Sequence, residues 1–539
     1  MPVLGEDIFL RLAVTNFTEF EARRLPVPSG ISAANQGSSE FYGNGEIFTV
    51  QQNFIFTLDF FKGETEVFKP VTWQLRLQPV YNINYTEARE TNILQPNPLG
   101  DATAGSGGSL PIDPGGGTGP GDILDFLNNN LTPIDGSNSG TSYTSRLRHD
   151  WFLQQGWFEL HLLDISDTYD FISSRAGYQR FNSDFRGLVF NDINLAYRIF
   201  GNAENNLWQY NVLFVDVREK DTNSELNTFE DRDQDVFIAN LYRQDFIVPG
   251  YTINLSTHVN IDDGNVHYDR NGFIARPAPV GTVEEHDVHA YYLGFAGEGK
   301  IGRVNISHSF YQAFGEDSLN GIQGQKSEIN AQQAHIEVSY DRDWIRYKFA
   351  FFYASGDSNT QDNQAEGFDT ITDNPNLFGG PFSYWVRQGF NLGGSAVNLK
   401  QRNSLVPNLR TSKFEGQSNF VNPGVFIWGI GSDIELTPEA RLFFNANYIR
   451  FADTAPIKQV LFTDQAREDV GYDLSIGIIA RPLLTDNIII TSGFAAFIPE
   501  QGYDDIYDQA RIGVPGYEDY PEEQENFLYS AFVSLTLTW

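Results

Sequence analysis

Eighteen stretches of this chain alternate apolar and polar residues with a period of two, and they recur from one end to the other. Near the start, Ile8, Leu10, Leu12 and Val14 alternate with Arg11, Ala13 and Thr15. Further on, Val50, Phe54, Phe56, Leu58 and Phe60 oppose Thr49, Gln51, Asn53, Thr57 and Asp59. Tyr251, Ile253, Leu255 and Val259 likewise oppose Thr252, Asn254, Ser256, His258 and Asn260. Side chains along a strand point alternately to its two faces, so this spacing predicts strands with one face in an apolar medium and one in a polar medium. The expected spans are 8–24, 46–62, 70–88, 149–165, 170–184, 191–201, 206–219, 235–247, 250–263, 285–297, 301–315, 330–341, 343–357, 421–436, 440–453, 468–482, 486–499 and 526–539.

The connections decide the architecture. Every second one, beginning after 46–62, is short: KGETEVFK, SDTY, NAEN, VPG, GEGK, DRD, TPEA, LTD. The intervening ones are long and polar, notably 89–148, 220–234, 264–284, 358–420, 454–467 and 500–525. Tight turns at one end and long loops at the other characterise an up-and-down barrel that crosses an outer membrane. A soluble sandwich, propeller or β-helix would also alternate, but gives no reason for alternating loop lengths, and no repeat of blade or coil length is visible. The expected fold is therefore all-β: one transmembrane up-and-down antiparallel β-barrel over residues 1–539, of about 18 strands, with short periplasmic turns and long extracellular loops. An even strand count puts both termini on the periplasmic side.

The last stretch, NFLYSAFVSLTLTW, fits closure. Tyr529, Ala531, Val533, Leu535, Leu537 and Trp539 share one face, while Ser530, Ser534, Thr536 and Thr538 share the other, interrupted only by Phe532. Pairing of this strand with the first would remove both sheet edges. A final alternating strand with a terminal aromatic also resembles the insertion signal that the barrel-assembly machinery reads, here Tyr529, Leu537 and Trp539.

Composition narrows the function classes. No run approaches the ~18–20 apolar residues of a membrane-spanning helix, and MPVLGEDIFLRL has the features of a mature N-terminus rather than a signal peptide. The absence of cysteine excludes disulfides, thiolate zinc sites and thiol catalysis. A formal charge of −34 argues against nucleic-acid binding by phosphate neutralisation.

The middle of the chain resembles the alginate-export family of eighteen-stranded outer-membrane porins. The resemblance rests on WFLQQGWFELHL (151–162), SRAGYQRFNSDFRGLVFNDINLAYRIFGN (174–202) and YASGD (353–357), about a third of the chain. That family carries an Arg-x-Gly-Arg-Gln segment; here it reads Arg175-Ala176-Gly177-Tyr178-Gln179, with Tyr178 in place of the second arginine. The resemblance implies a basic lumen that attracts a polyanion.

Parity assigns Arg11, Arg76, Arg175, Arg198, Arg303, Arg346 and Lys348 to the lumen, with Asp59, Glu159, Glu337 and Asp473 on the same side. They are expected to line the pore with charges of both signs; interior ion pairs packed against loops are the alternative. Two long loops, 89–148 with ILDFLNNNL and 358–420 with NLFGGPFSYWVRQGF, carry apolar residues that fold into the pore as a constriction, or cover its mouth or a neighbour. Acid-rich connections hold Glu219, Asp221, Glu225, Glu230, Asp231, Asp233 and Asp235, and then Asp504, Asp505 and Asp508; Ca²⁺ or Mg²⁺ at the rim and a solvated repulsive surface are the two readings.

No G-x-S-x-G elbow occurs, and His286 and His289 would face opposite sides of a strand, so no enzymatic activity is expected. The function these features predict is passive diffusion of small hydrophilic solutes through a water-filled lumen. Alternatives are polysaccharide export, or a sheath barrel enclosing or binding a surface or periplasmic protein. Expected partners are outer-membrane lipid, lipopolysaccharide and the assembly machinery, with no cofactor beyond the rim cations.

Overall fold

The computed structural model describes residues 2–5, 7–27, 45–63, 70–90, 93–94, 144–168, 170–393, 395–507 and 527–539. Eighteen long strands form one antiparallel sheet: β1 Ile8–Arg24, β2 Glu46–Lys62, β3 Trp73–Ala88, β4 Ser145–Asp164, β5 Phe171–Asn182, β6 Asn191–Ala203, β7 Trp208–Lys220, β8 Asn227–Arg243, β9 Tyr251–Asp262, β10 Val288–Ile301, β11 Val304–Asn320, β12 Gln325–Arg342, β13 Ile345–Ala354, β14 Val425–Thr437, β15 Ala440–Phe451, β16 Asp469–Ala480, β17 Ile488–Pro499 and β18 Leu528–Thr538. Each pairs with its neighbours in sequence. β18 returns to β1 in register from Thr15 opposite Thr538 to Arg24 opposite Tyr529. Trp539 completes the seam by exchanging two backbone hydrogen bonds with Val14, at 3.0 and 3.2 Å. The sheet is a closed barrel, and closure leaves no edge to be solvated.

The distribution of side chains is inverted relative to a soluble protein. Leu12, Trp151, Leu293 and Ile430 on the outer wall are each 60–65 % exposed, whereas Asn82, Asn254, His258 and Asn260 on the inner wall are fully buried. A wall of this kind is stable only where the surrounding medium is itself apolar. No helix among the described residues is long and apolar enough to cross a membrane.

Strand boundaries differ from the alternation in several places, most at two hairpins. β8 begins at Asn227 instead of 235, and the β11–β12 hairpin reaches Asn320 and Gln325. The connection expected over 220–234 is thus only Asp221–Leu226, and Asp231, Asp233 and Asp235 stand exposed on the outward face of β8. Glu219 and Asp221, expected in a solvated loop, are buried. Carboxylates on the outer face do not break a strand that continues beyond the apolar belt, so charge mimicked a loop.

The dry core lies inside the barrel. Residues 355–424, between β13 and β14, run into the lumen with two short helical pieces, Gly380–Phe382 and α1 Tyr384–Arg387. Their Phe368, Tyr384, Trp385, Phe390, Leu399 and Leu405 are buried against Tyr292, Tyr311, Phe352 and Phe497 of the inner wall. Residues 183–190, between β5 and β6, also turn inward and bridge to this segment at Phe190 and Thr372. Helices α2 Ala455–Leu461 and α3 Gln501–Tyr507 cap the long-loop end. Most of 89–148 (91–92 and 95–143), including ILDFLNNNL, and residues 508–526, including Asp508, lie outside the described residues.

Candidate functional site

The infolded segment is fastened to the wall by buried charge. Arg387 donates from Nε to Glu21 at 2.8 Å and from Nη2 to Glu19 at 2.6 Å, both on β1. Gln388 and Arg402 reach the same Glu21 at 2.7 and 3.2 Å. Glu21 is almost wholly inaccessible to solvent, so removing its partners would strand a charge in a dry site. On the other side, Asp473 of β16 accepts from the backbone N–H groups of Tyr384 and Trp385 at 3.1 and 3.3 Å, and from the Ser383 hydroxyl. Asp473 is therefore an anchor for α1, completely buried, and does not line open space as its parity suggested. Phe382 stacks on Phe443 and Phe532 with centroids 5.0 and 6.0 Å away. Room for that ring is made by glycine: a Cβ on Gly477 would lie 2.1 Å from Phe382, and one on Gly493 2.7 Å.

A row of arginines crosses the inner wall from β1 to β6. Arg76 grips Asp59 from Nε and Nη2 at 2.6 and 2.9 Å, and Arg11 reaches the same carboxylate at 3.3 Å. Arg76 and Arg175 both lie over the buried ring of Trp157, 5.2 and 4.0 Å from its centroid. Arg175 donates to Glu159 from Nε at 2.9 Å. Phe200 carries the row onward, with Arg175 at 5.4 Å and Arg198 at 4.3 Å. Arg198 then donates to Asn211 at 2.9 Å, and Asn211 to Asn240 at 2.8 Å. The planar guanidinium suits this arrangement, because it can accept an aromatic face and a bidentate carboxylate together. Four arginines meet two carboxylates, so the row is net positive.

Two cavities flank the infolded segment. One, of about 610 Å³, opens toward the short turns and is lined by Arg186, Glu298, Glu337, Arg346, Lys348 and Asp433. Here Arg186 donates to Glu337 at 3.0 Å and to Ser307 at 2.9 Å, Lys348 meets Asp433 at 2.6 Å, and Arg346 meets Asp341 at 2.5 Å. The other, of about 460 Å³, lies toward the long loops between Glu19, Arg23, Arg146, Asp269, Arg402 and Glu415. Burial, with Glu415 nearby, pushes the Asp269 carboxyl in the β9–β10 connection up to about 7.

Of the residues singled out by parity, Arg11, Asp59, Arg76, Glu159, Arg175 and Arg198 come together in one row, while Glu337, Arg346 and Lys348 lie across the barrel at the lower cavity. Arg303 does not face the lumen. It occupies the exposed two-residue turn between β10 and β11, because β11 starts at Val304, three residues later than expected. Asp505 is engaged by Arg467 at 2.6 and 2.8 Å within the loop-end packing, which leaves it no free rim carboxylate. Arg186, Glu19, Glu21, Trp157 and Arg387 escaped the sequence reading. One signal pointed to the buried segment: Phe532, an apolar residue set among the serines and threonines on the polar face of β18, is where Phe382 stacks and where Arg387 lies 3.8 Å above the ring.

No family model matches the chain, so the resemblance to alginate-export porins gains no support there. No curated protein matches it either. Among solved structures, it is similar to the outer-membrane protein OpdK of Pseudomonas aeruginosa, at 9 % identity and TM-score 0.46, over 98 % of this chain and 99 % of that one. A BenF-like porin from Pseudomonas fluorescens gives 9 % and 0.46 over 99 % of each chain. OccAB3 of Acinetobacter baumannii gives 9 % and 0.48, over 98 % of this chain and 99 % of that one. These likenesses are architectural, and at such identities no substrate comes across with them.

Proposed function

We propose that the protein is an outer-membrane channel for passive diffusion of small hydrophilic solutes, with its short turns and both termini on the periplasmic side. The observation that carries this reading is the charged inner wall of a closed, lipid-facing barrel, narrowed by its own infolded segment between two polar cavities. Arg11, Arg76, Arg175 and Arg198 with Asp59 and Glu159 form one side of the pore lining, and Glu337, Arg346 and Lys348 the other. Opposed charges across a narrow passage give a transverse field that orients a dipolar solute, and the excess of arginine favours anions over cations at close range. Selection is by size and charge distribution and needs no covalent step. Lipid and lipopolysaccharide would contact the apolar outer wall, and the assembly machinery would read β18 through Tyr529, Leu537 and Trp539.

Single-channel recording of the refolded protein in a planar bilayer tests this reading, with the reversal potential taken under a salt gradient. Stable ohmic steps and an anion-selective reversal are expected. Silence from a barrel shown to be folded by heat-modifiable gel migration would overturn it. That outcome would favour the second reading, a sheath or plugged barrel, which the dry packing of residues 355–424 supports. A polysaccharide-export bore fits less well, because the infolded segment divides the lumen and its cavities carry both signs of charge.

A further inference from the structure

Toward the long-loop end, residues from three separate segments converge. Glu219 comes from the inner face of β7, His267 from the β9–β10 connection and Glu415 from the infolded segment. A ligand atom from each lies within 4.8 Å of the other two. Both glutamates are buried and the imidazole is half-buried. His267 Nδ1 stands 3.7 Å from Glu219 Oε1, beyond hydrogen-bond range, and Nε2 makes only a long contact of 3.5 Å with Glu415 Oε1. Arg276, itself buried, donates to Glu219 Oε1 at 2.5 Å, and the Thr222 hydroxyl donates to Glu415 Oε1 at 2.9 Å. Glu219 Oε2, in contrast, is shielded from solvent and has no hydrogen-bond partner. A buried carboxylate oxygen without a donor is costly, and an ion at the site would remove that cost.

We propose that Glu219, His267 and Glu415 bind one divalent transition-metal ion, with Zn²⁺ the best match, which ties the infolded segment to the barrel wall. One imidazole nitrogen and two carboxylate oxygens form the mixed set that zinc takes, leaving its fourth position to water. Calcium and magnesium prefer sets made only of oxygen. Arg276 acts as a positioning residue: by occupying Oε1 it fixes the carboxylate and leaves Oε2 as its free ligand atom, as outer-sphere partners do at known sites. Glu415 also lines the upper cavity, which gives the ion its way in. The inference does not depend on whether the barrel conducts.

The test uses the full-length untagged protein, refolded in detergent, stripped with a chelator and titrated with Co²⁺ as an optical probe. A visible ligand-field band saturating at one ion per chain is expected, displaced by Zn²⁺, with zinc also raising the thermal midpoint of unfolding. Glu219→Gln and His267→Gln should each weaken binding by about tenfold or more while preserving heat-modifiable migration. If Glu219→Gln does not fold, His267→Gln, at the half-exposed ligand, carries the test alone. A folded wild-type protein with no saturable band, or a band unchanged in the folded variants, would overturn the site.

Discussion

The two arginine clusters of this barrel use the same chemistry and differ in what covers them. On the β1–β6 wall, Arg11 and Arg76 share Asp59, and two aromatic rings hold the next guanidiniums in line. Under the infolded segment, Arg387 and Arg402 share Glu19 and Glu21. Arg11 keeps 67 % of its side chain exposed, whereas the Glu21 side chain keeps none. Exposed pairs are worth little to stability and stay available to a solute; buried pairs resist separation because breaking one leaves an uncompensated charge. Cover, and not residue type, sets the open end of the row at Arg11 apart from the anchor at Glu21.

That division can be broken at its strongest point first. Arg387→Ala should cost about 3–5 kcal/mol of local stability, since Glu19 and Glu21 lose their main partner. The expected result is release of 355–424 from the wall, read as a several-fold rise in single-channel conductance; an unchanged conductance would mean that the segment is held elsewhere. Next in size, Gly477→Val should displace Phe382, at a cost of about 1–3 kcal/mol from overpacking. Thermal unfolding would fall with little change in ion selectivity, and an unaltered midpoint would count against the close contact seen here.

On the β1–β6 row, the double change Arg76→Ala and Arg175→Ala should lower the unfolding midpoint by less than Arg387→Ala, because the buried Asp59 keeps Arg11 while the buried Glu159 loses its arginine. It should move the reversal potential toward cations, because Asp59 and Glu159 remain. A shift toward anions would place the selective charge outside this row. The smallest effect concerns pH. Asp269 and Asp357, both in long-loop connections, are pushed up to about 7, in each case first by burial. A folded-state pKa above the ordinary value near 4 contributes stability that is complete below that value and is lost as pH rises through about 7. The loop packing should thus be tightest in acid and loosen between about pH 4 and 7, seen as faster hydrogen exchange in 355–424. Asp357→Asn should flatten part of that dependence.

Legibility followed the same line. The alternation that places Leu12, Phe56 or Leu255 outside is a local property with a period of two, and a residue's neighbours reveal it. Arg303 was misplaced because a two-residue turn resets the parity, and a boundary error of a few residues then moves a side chain out of the lumen. Asp473 kept the inward direction that its parity gave, but its burial came from a segment some ninety residues away. Phe532 was visible as an exception yet had no partner until the fold supplied one.

By itself, the sequence determined an all-β barrel of eighteen strands, its inner and outer faces, and the ends at which turns and loops gather, because each follows from periodicity and chain connectivity. Only the tertiary structure decided that 355–424 lies inside, that Glu21 and Asp473 are anchors, and that Glu219, His267 and Glu415 meet. Those are contacts between residues far apart in the chain, set by how loops fill a closed wall, and no local pattern encodes them.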